Sequence, residues 1–369
     1  MNESKIDTCL IENIPEHFMP APDPTKRFTP MLQGVGTNTL AKTSTTKRSP
    51  KVDEITGVAT INDGTSTIFI ENYNNLKGGL RISTQKLLDA FTIQLTQQNS
   101  YKNNRNLNTT VIIPLKDYIQ QCGVDLKEKP TNTPEEAEKE KKRIKALIDN
   151  NRKKIKQDLE TLFNISMEWQ ESRGNDTKDF DRMRICDRVA IRSGNIILNF
   201  TLPMAEYLNN AYIMQYPLAL LKVEERNPNS YRIGRKLALH NSIDNNQNKG
   251  TSDIISVKAL LECAPDIITY DEVQNTDRGH WNERIRLPLE RALDSLVADG
   301  VVSFWEYCNH SKECLLDSQL EIKSYEDFSN LFIHFQMNNA PDHVLRLQAK
   351  RQRTSRYKAK GAIQKRKKQ

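Results

Sequence analysis

Between Glu135 and about Leu162 apolar side chains return with a period near 3.6, placing Ile144, Leu147, Ile148, Ile155, Leu159 and Leu162 on one side. Past His280 the pattern repeats with Ile285, Leu289, Ala292, Leu293 and Leu296. Two long helices are predicted. The second meets Gly300, a residue suited to the left-handed geometry that ends helices, and VVSFWEY then alternates as a strand does. Pro288 lies inside this second helix, where a missing backbone donor predicts a kink.

The rest of the chain fills in around them. Residues 1 to about 54 mix Pro, Thr, Ser, Asn and Lys with few apolar positions and predict a disordered arm. TSTIFIENY predicts a strand, and Ser83 or Thr84 opens a helix to about Gln98 with Leu87, Leu88, Phe91 and Leu95 on one face. After an Asn-rich loop, TTVIIPL reads as a strand and KDYIQQCGV as a short helix stopped by Gly123. Three strands are predicted after the first long helix: ISMEWQ, the stretch around MRICDRVAIR, and NIILNF, with RGNDTKD and RSGN as turns. Helices are predicted at 202–210, at YPLALLKVEE and at NPNSYRIGRKLALHNSI, where Arg232, Arg235 and Lys236 supply charge. Ser256 caps a helix through Cys263, and Thr269 with Glu272 forms a capping box. NLFIHFQM suits a returning strand, although Phe328, Leu331, Phe332 and Phe335 also fit a helix. No sequence repeat is visible, but the two halves repeat one element order.

Charge lies on the faces that the apolar stripes leave open. Lys139, Lys142, Lys153 and Lys156 fall opposite the stripe of the first long helix, flanked by Arg143 and Lys145. A solvated helix face shows such runs too, but nine bases against three acids from Lys139 to Asp158 exceed what that requires. On the second long helix Arg284, Leu287 and Arg291 share an outward line, with Arg278 and Arg286 nearby; Glu283, Glu290 and Asp294 could instead pair with them. Arginine suits bidentate base readout and lysine suits phosphate, so the second helix is expected to read sequence and the first to position the duplex.

Composition narrows the classes. The 369 residues are 37% hydrophobic with a mean hydropathy of −0.67, and neither a membrane-span run nor a signal-peptide core is visible, so a cytoplasmic protein without membrane contact is expected. Six scattered cysteines suit reduced thiols. The net charge of +7 is local: eleven Lys and Arg and no acid follow Leu345, leaving the remainder at −4. That tail, with Arg351 and Arg353, is expected to track phosphate. Cys308, His310 and Cys314 lack the fourth ligand and spacing of a zinc site, so no metal and no cofactor is expected. The segment holding His343, Arg346 and Tyr357 is too polar for a recombinase pocket, no closely spaced histidine pair serves a nickase, and no GxxxxGK[ST] loop cradles a nucleotide.

GNIILNFTLPMAEYL, NPNSYRIGRKLALH, and RIRLPLERALDSL running into VVSFWEY together resemble the iteron-binding plasmid replication initiators, over about residues 76–337. The resemblance implies an α+β fold of two tandem winged-helix domains, here 55–213 and 214–340, between the arm of 1–54 and a basic tail of 341–369. It implies a proline inside the corresponding helix, double-stranded DNA with repeated origin sites as partner, local melting, recruitment of a host helicase or initiator proteins, and no catalytic residues. The first domain either binds DNA or pairs with a second copy as a homodimer. The long loop over 309–324 and the basic tail depart from the pattern. A winged-helix transcriptional regulator without initiation activity is the alternative.

Overall fold

Helix α1, Ile82–Asn99, buries side chains on every side, not along one stripe. Leu87, Leu88, Phe91 and Leu95 are joined inside by Lys86, Asp89 and Thr92. Buried charge is tolerable only with partners. Lys86 donates to the carbonyl of Val223, and Asp89 accepts from Arg235, Tyr231 and Gln85. Burial pushes the Lys86 ammonium below its usual pKa.

The computed structural model describes residues 28–33, 51–62, 66–76, 80–99, 107–173, 177–209, 211–246, 251–264, 266–276, 280–309, 311, 313 and 322–338. They form an α+β protein in which one element order occurs twice. In the first unit α1 is followed by β5 (Thr110–Pro114), α2 (Leu115–Gln121), α3 (Pro134–Phe163), β8 (Cys186–Arg192) and β9 (Asn195–Phe200). The antiparallel sheet has the order β5-β9-β8. In the second unit α5 (Pro228–Asn246) precedes β11 (Ile254–Ser256), α6 (Val257–Cys263), the short α7 (Tyr270–Gln274), α8 (Leu287–Ala298), β12 (Val302–Cys308), a single turn α9 (Tyr325–Ser329) and β13 (Phe332–Met337). Its sheet runs β11-β13-β12, again first, third, second.

Between α3 and β8 the first unit inserts β6 (Ile165–Arg173) and β7 (Thr177–Arg184). They extend β2 (Lys51–Val52), β3 (Ala59–Asn62) and β4 (Ser66–Ile70) into an antiparallel sheet of order β2-β3-β4-β6-β7. Register places Ile68 opposite Met167 and Ile70 opposite Ile165, all four buried. The units meet through α4 (Leu202–Asn209) and β10 (Tyr212–Pro217), which pairs antiparallel with β1 (Phe28–Gln33). Within the second unit Gly234 of α5 allows close approach of its neighbours: a Cβ would lie 2.6 Å from Leu220 Cδ2 and 2.7 Å from Leu296 Cδ2 of α8.

Several expectations are corrected. The disordered arm of 1–54 contains β1, whose Met31 is buried and whose Leu32 N–H donates to Thr96 Oγ1, 3.0 Å away; β2 also begins within it. The rest of that arm, and the tail, lie outside the described residues. YPLALLKVEE is not an α-helix: its start belongs to β10, where pairing with β1 settles a local ambiguity, and only a 3-10 helix over Leu218–Lys222 remains. The boundary expected between 213 and 214 consequently falls inside β10. MRICDRVAIR is divided between β7 and β8, β3 and β11 had no counterpart among the predicted strands, and NLFIHFQM holds the strand β13. Arg232 and Arg235 are both 3% exposed and contribute no surface charge.

Candidate nucleic-acid interface

Helix α3 is built from both ends. Thr133 accepts from the Glu136 N–H, Pro134 occupies the first turn, and Glu136 accepts from the Asn132 N–H, so the exposed start is capped by its own sequence. At the other end Ile155, Leu159 and Leu162 enter the core, and Asp158 accepts from Thr84 Oγ1 (2.7 Å), Ser83 Oγ (3.0 Å) and Arg81 (3.2 Å). Burial pushes the Asp158 carboxyl upward in spite of these donors. From Pro134 to Lys154 no side chain is buried, and Ile144, Leu147 and Ile148 are only half-covered.

All five expected lysines are exposed. Lys142 lies 2.8 Å from Glu138 and Lys156 3.6 Å from Glu160. Such exposed pairs contribute little and do not prevent phosphate contact. Lys139, Lys145 and Lys153 make no ion pair among the described residues. Arg143 is held by Glu140 at 2.7 Å, a hydrogen bond that keeps the Glu140 carboxyl at about 2, so it is less available.

The second long helix begins with a widened turn. Residues Asn282–Arg286 adopt π geometry, with the Leu287 N–H reaching back to the Asn282 carbonyl, and Pro288 sits in the first turn of α8. This is the physical account of that proline: loosening the turn displaces the Arg284 carbonyl that its ring would otherwise meet. Arg291 is exposed and unpaired among the described residues. Arg284 is half-buried, donating to Thr276 Oγ1 at 2.8 Å. Arg286 is turned inward, 2.8 Å from Glu290, with its guanidinium over the Tyr307 ring and the Tyr307 hydroxyl on the same carboxylate. Its expected place among the base-reading arginines is corrected: the inward Glu290 holds it. Arg278, Arg351 and Arg353 lie outside the described residues.

Among the exposed cations that the periodicity did not single out are Arg152 on α3, and Arg188 and Arg192 on β8. The last precedes a tight turn at Ser193 and Gly194, with φ of 47° and 76°. RSGN marks that turn in sequence, and its flanking arginine was the available signal. An open cleft of about 390 Å³ runs between α3 and β8, with Arg152, Lys153, Lys156 and Glu160 around Leu159, Val189, Ala190 and Ile191. Among the described residues no cluster could hold a metal ion, and no helix is long and apolar enough to cross a membrane.

No protein-family model matches this chain, and no curated protein does. A solved structure is similar at low level: the crystal structure of selenomethionine derivatives of domains 2 and 3 of RctB. It shows 12% identity and a TM-score of 0.34, covering 80% of this chain and 98% of that one. Likeness of that degree carries no argument about activity.

Proposed function

We propose that this protein binds double-stranded DNA through two units of winged-helix type and initiates replication of a plasmid or mobile element. In this reading it binds repeated origin sites and recruits host replication proteins, with no catalytic step of its own. The observation that carries the DNA reading is the order of helix, strand, helix, helix, strand, strand, which underlies both units once the inserted β6 and β7 of the first and the short α7 and α9 of the second are set aside. Each use sets a cation-bearing helix, α3 or α8, ahead of the last two strands of its three-stranded sheet, directly in the second unit and with β6 and β7 between in the first. A helix of this kind fits the major groove, and cations along it supply the charge that a duplex demands. The initiator role rests on the sequence resemblance alone.

The deciding experiment deletes the coding sequence from a minimal replicon that retains the DNA on either side of it. Loss of copying supports initiation; altered transcription with normal copying would leave a regulator.

Within this reading α3 and α8 divide the work. Replacing Arg291 by Ala is expected to cost ~1–3 kcal/mol on the specific duplex and to blur sequence preference at one position. Equal loss on random duplex, measured by competition titration, would reduce Arg291 to a phosphate contact. Replacing Lys139 and Lys145 together by Ala is expected to weaken binding to every duplex and to lower the slope of log K against log salt by about 0.9 for each lysine. An unchanged slope would make that face of α3 merely solvated.

A further inference from the structure

The cleft between α3 and β8 has two characters that duplex DNA alone does not use. Its rim is basic: Arg152 and Lys153 make no ion pair among the described residues, while Lys156 shares Glu160. Its floor is aliphatic, formed by Leu159, Val189, Ala190 and Ile191. Phosphate and sugar would satisfy the rim and leave the floor uncovered. An occupant that satisfies both brings carboxylates and branched apolar side chains together.

The chain carries such a segment ahead of β1. Between Glu3 and Glu16 four acids, Glu3, Asp7, Glu12 and Glu16, stand against Lys5, and Ile6, Leu10, Ile11 and Ile14 are interspersed among them. The 11 residues of 17–27, with Pro20, Pro22 and Pro24, join it to β1. At ~3.3 Å per residue that tether spans roughly 35 Å, on the order of the width of a unit of this size. A tethered ligand also sees its site at about millimolar concentration, so a weak contact suffices.

We propose that residues 3–16 dock in the cleft between α3 and β8 of the same chain, acids on the basic rim and aliphatic side chains on the floor. Docked, the segment covers Lys153 and Lys156 and competes with polyanions for that part of α3. This last consequence rests on the proposed DNA reading; the docking does not.

The test places the photocrosslinker p-benzoylphenylalanine at position 10 of the full chain, in place of Leu10, and maps adducts by mass spectrometry after irradiation without DNA. Mixed light and heavy chains distinguish adducts within a chain from those between chains. Expected are adducts within one chain to residues 152–160 and 189–191. Their yield should fall about fivefold in Arg152→Glu, which exchanges attraction for repulsion at the rim. It should fall likewise in Val189→Asp and in concentrated salt. Arg152 is exposed and makes no ion pair among the described residues, so its variant keeps the test valid even if Val189→Asp fails to fold. Adducts mapping elsewhere, adducts only between copies, or yields indifferent to Arg152→Glu would overturn the proposal. Adducts in the cleft with duplex affinity unchanged on deleting residues 1–18 would uphold docking and remove Lys153 and Lys156 from the DNA surface.

Discussion

Replacing Asp89 by Ala is expected to destabilise the protein by about 3–5 kcal/mol, the cost of leaving a buried cation without its counterion. The Asp89 and Arg235 side chains are 2% and 4% exposed and 3.0 Å apart, and Tyr231 and Gln85 donate to the same carboxylate. Removal of the carboxylate strands several donors at once, and water cannot reach them. Asp89→Leu combined with Arg235→Met should recover much of the loss, because a buried pair exchanged for apolar side chains is often nearly neutral. Urea unfolding of both single variants and the double variant measures the coupling. Additive losses would show that the pair does not act as a unit. Asp89 belongs to the first unit and Arg235 to the second, so the single variants should also tend to separate one cooperative transition into two.

Gly234→Ala is expected to destabilise by about 1–3 kcal/mol, the range for overpacking a filled core. The sign is the informative part, since in an exposed helix the same change stabilises by roughly 1 kcal/mol. Here the added methyl would lie at 2.6 and 2.7 Å from the ends of Leu220 and Leu296, both fully buried and so without space to retreat. Thermal unfolding of Gly234→Ala and of Gly234→Ala with Leu296→Ala separates the causes. Partial rescue by the second change, despite the cavity that it opens, marks a steric conflict; a strictly additive loss would place the cost elsewhere.

What could be read from sequence was what is encoded within a few residues. Thr133 and Pro134 open α3, Thr269 and Glu272 cap α7, and Gly123 and Gly300 take positive φ where helices stop. The exposure of Lys139 through Lys156 followed from helical period alone. Distance along the chain concealed the rest. β1 and β10 are strands because they find each other across about 180 residues, and β11 is three residues long with its partner β13 far downstream. Arg235 looked like surface charge because its counterion lies 146 residues earlier. At the candidate interface, period could not separate Arg291 from Arg286: that difference comes from the buried Glu290 and from the widened turn that precedes Pro288.

Helix α3 buries side chains fully at one end only, and this sets a gradient of local stability along a single element. Beyond Ile155 its turns share the free energy of the whole core and can open only when the fold does. Before it, order depends on the Thr133 cap, on neighbouring side-chain pairs, on the half-covered Leu147 and Ile148 and on the hydrogen bonds of Arg143 and Glu140 to Lys127 and Lys129, a thinner support per turn than the buried end has. Those outer turns can therefore breathe while the fold stays intact. A polyanion laid along Lys139 and Lys145 would then act as the missing half of the packing, exchanging part of its binding energy for rigidity in the helix that grips it.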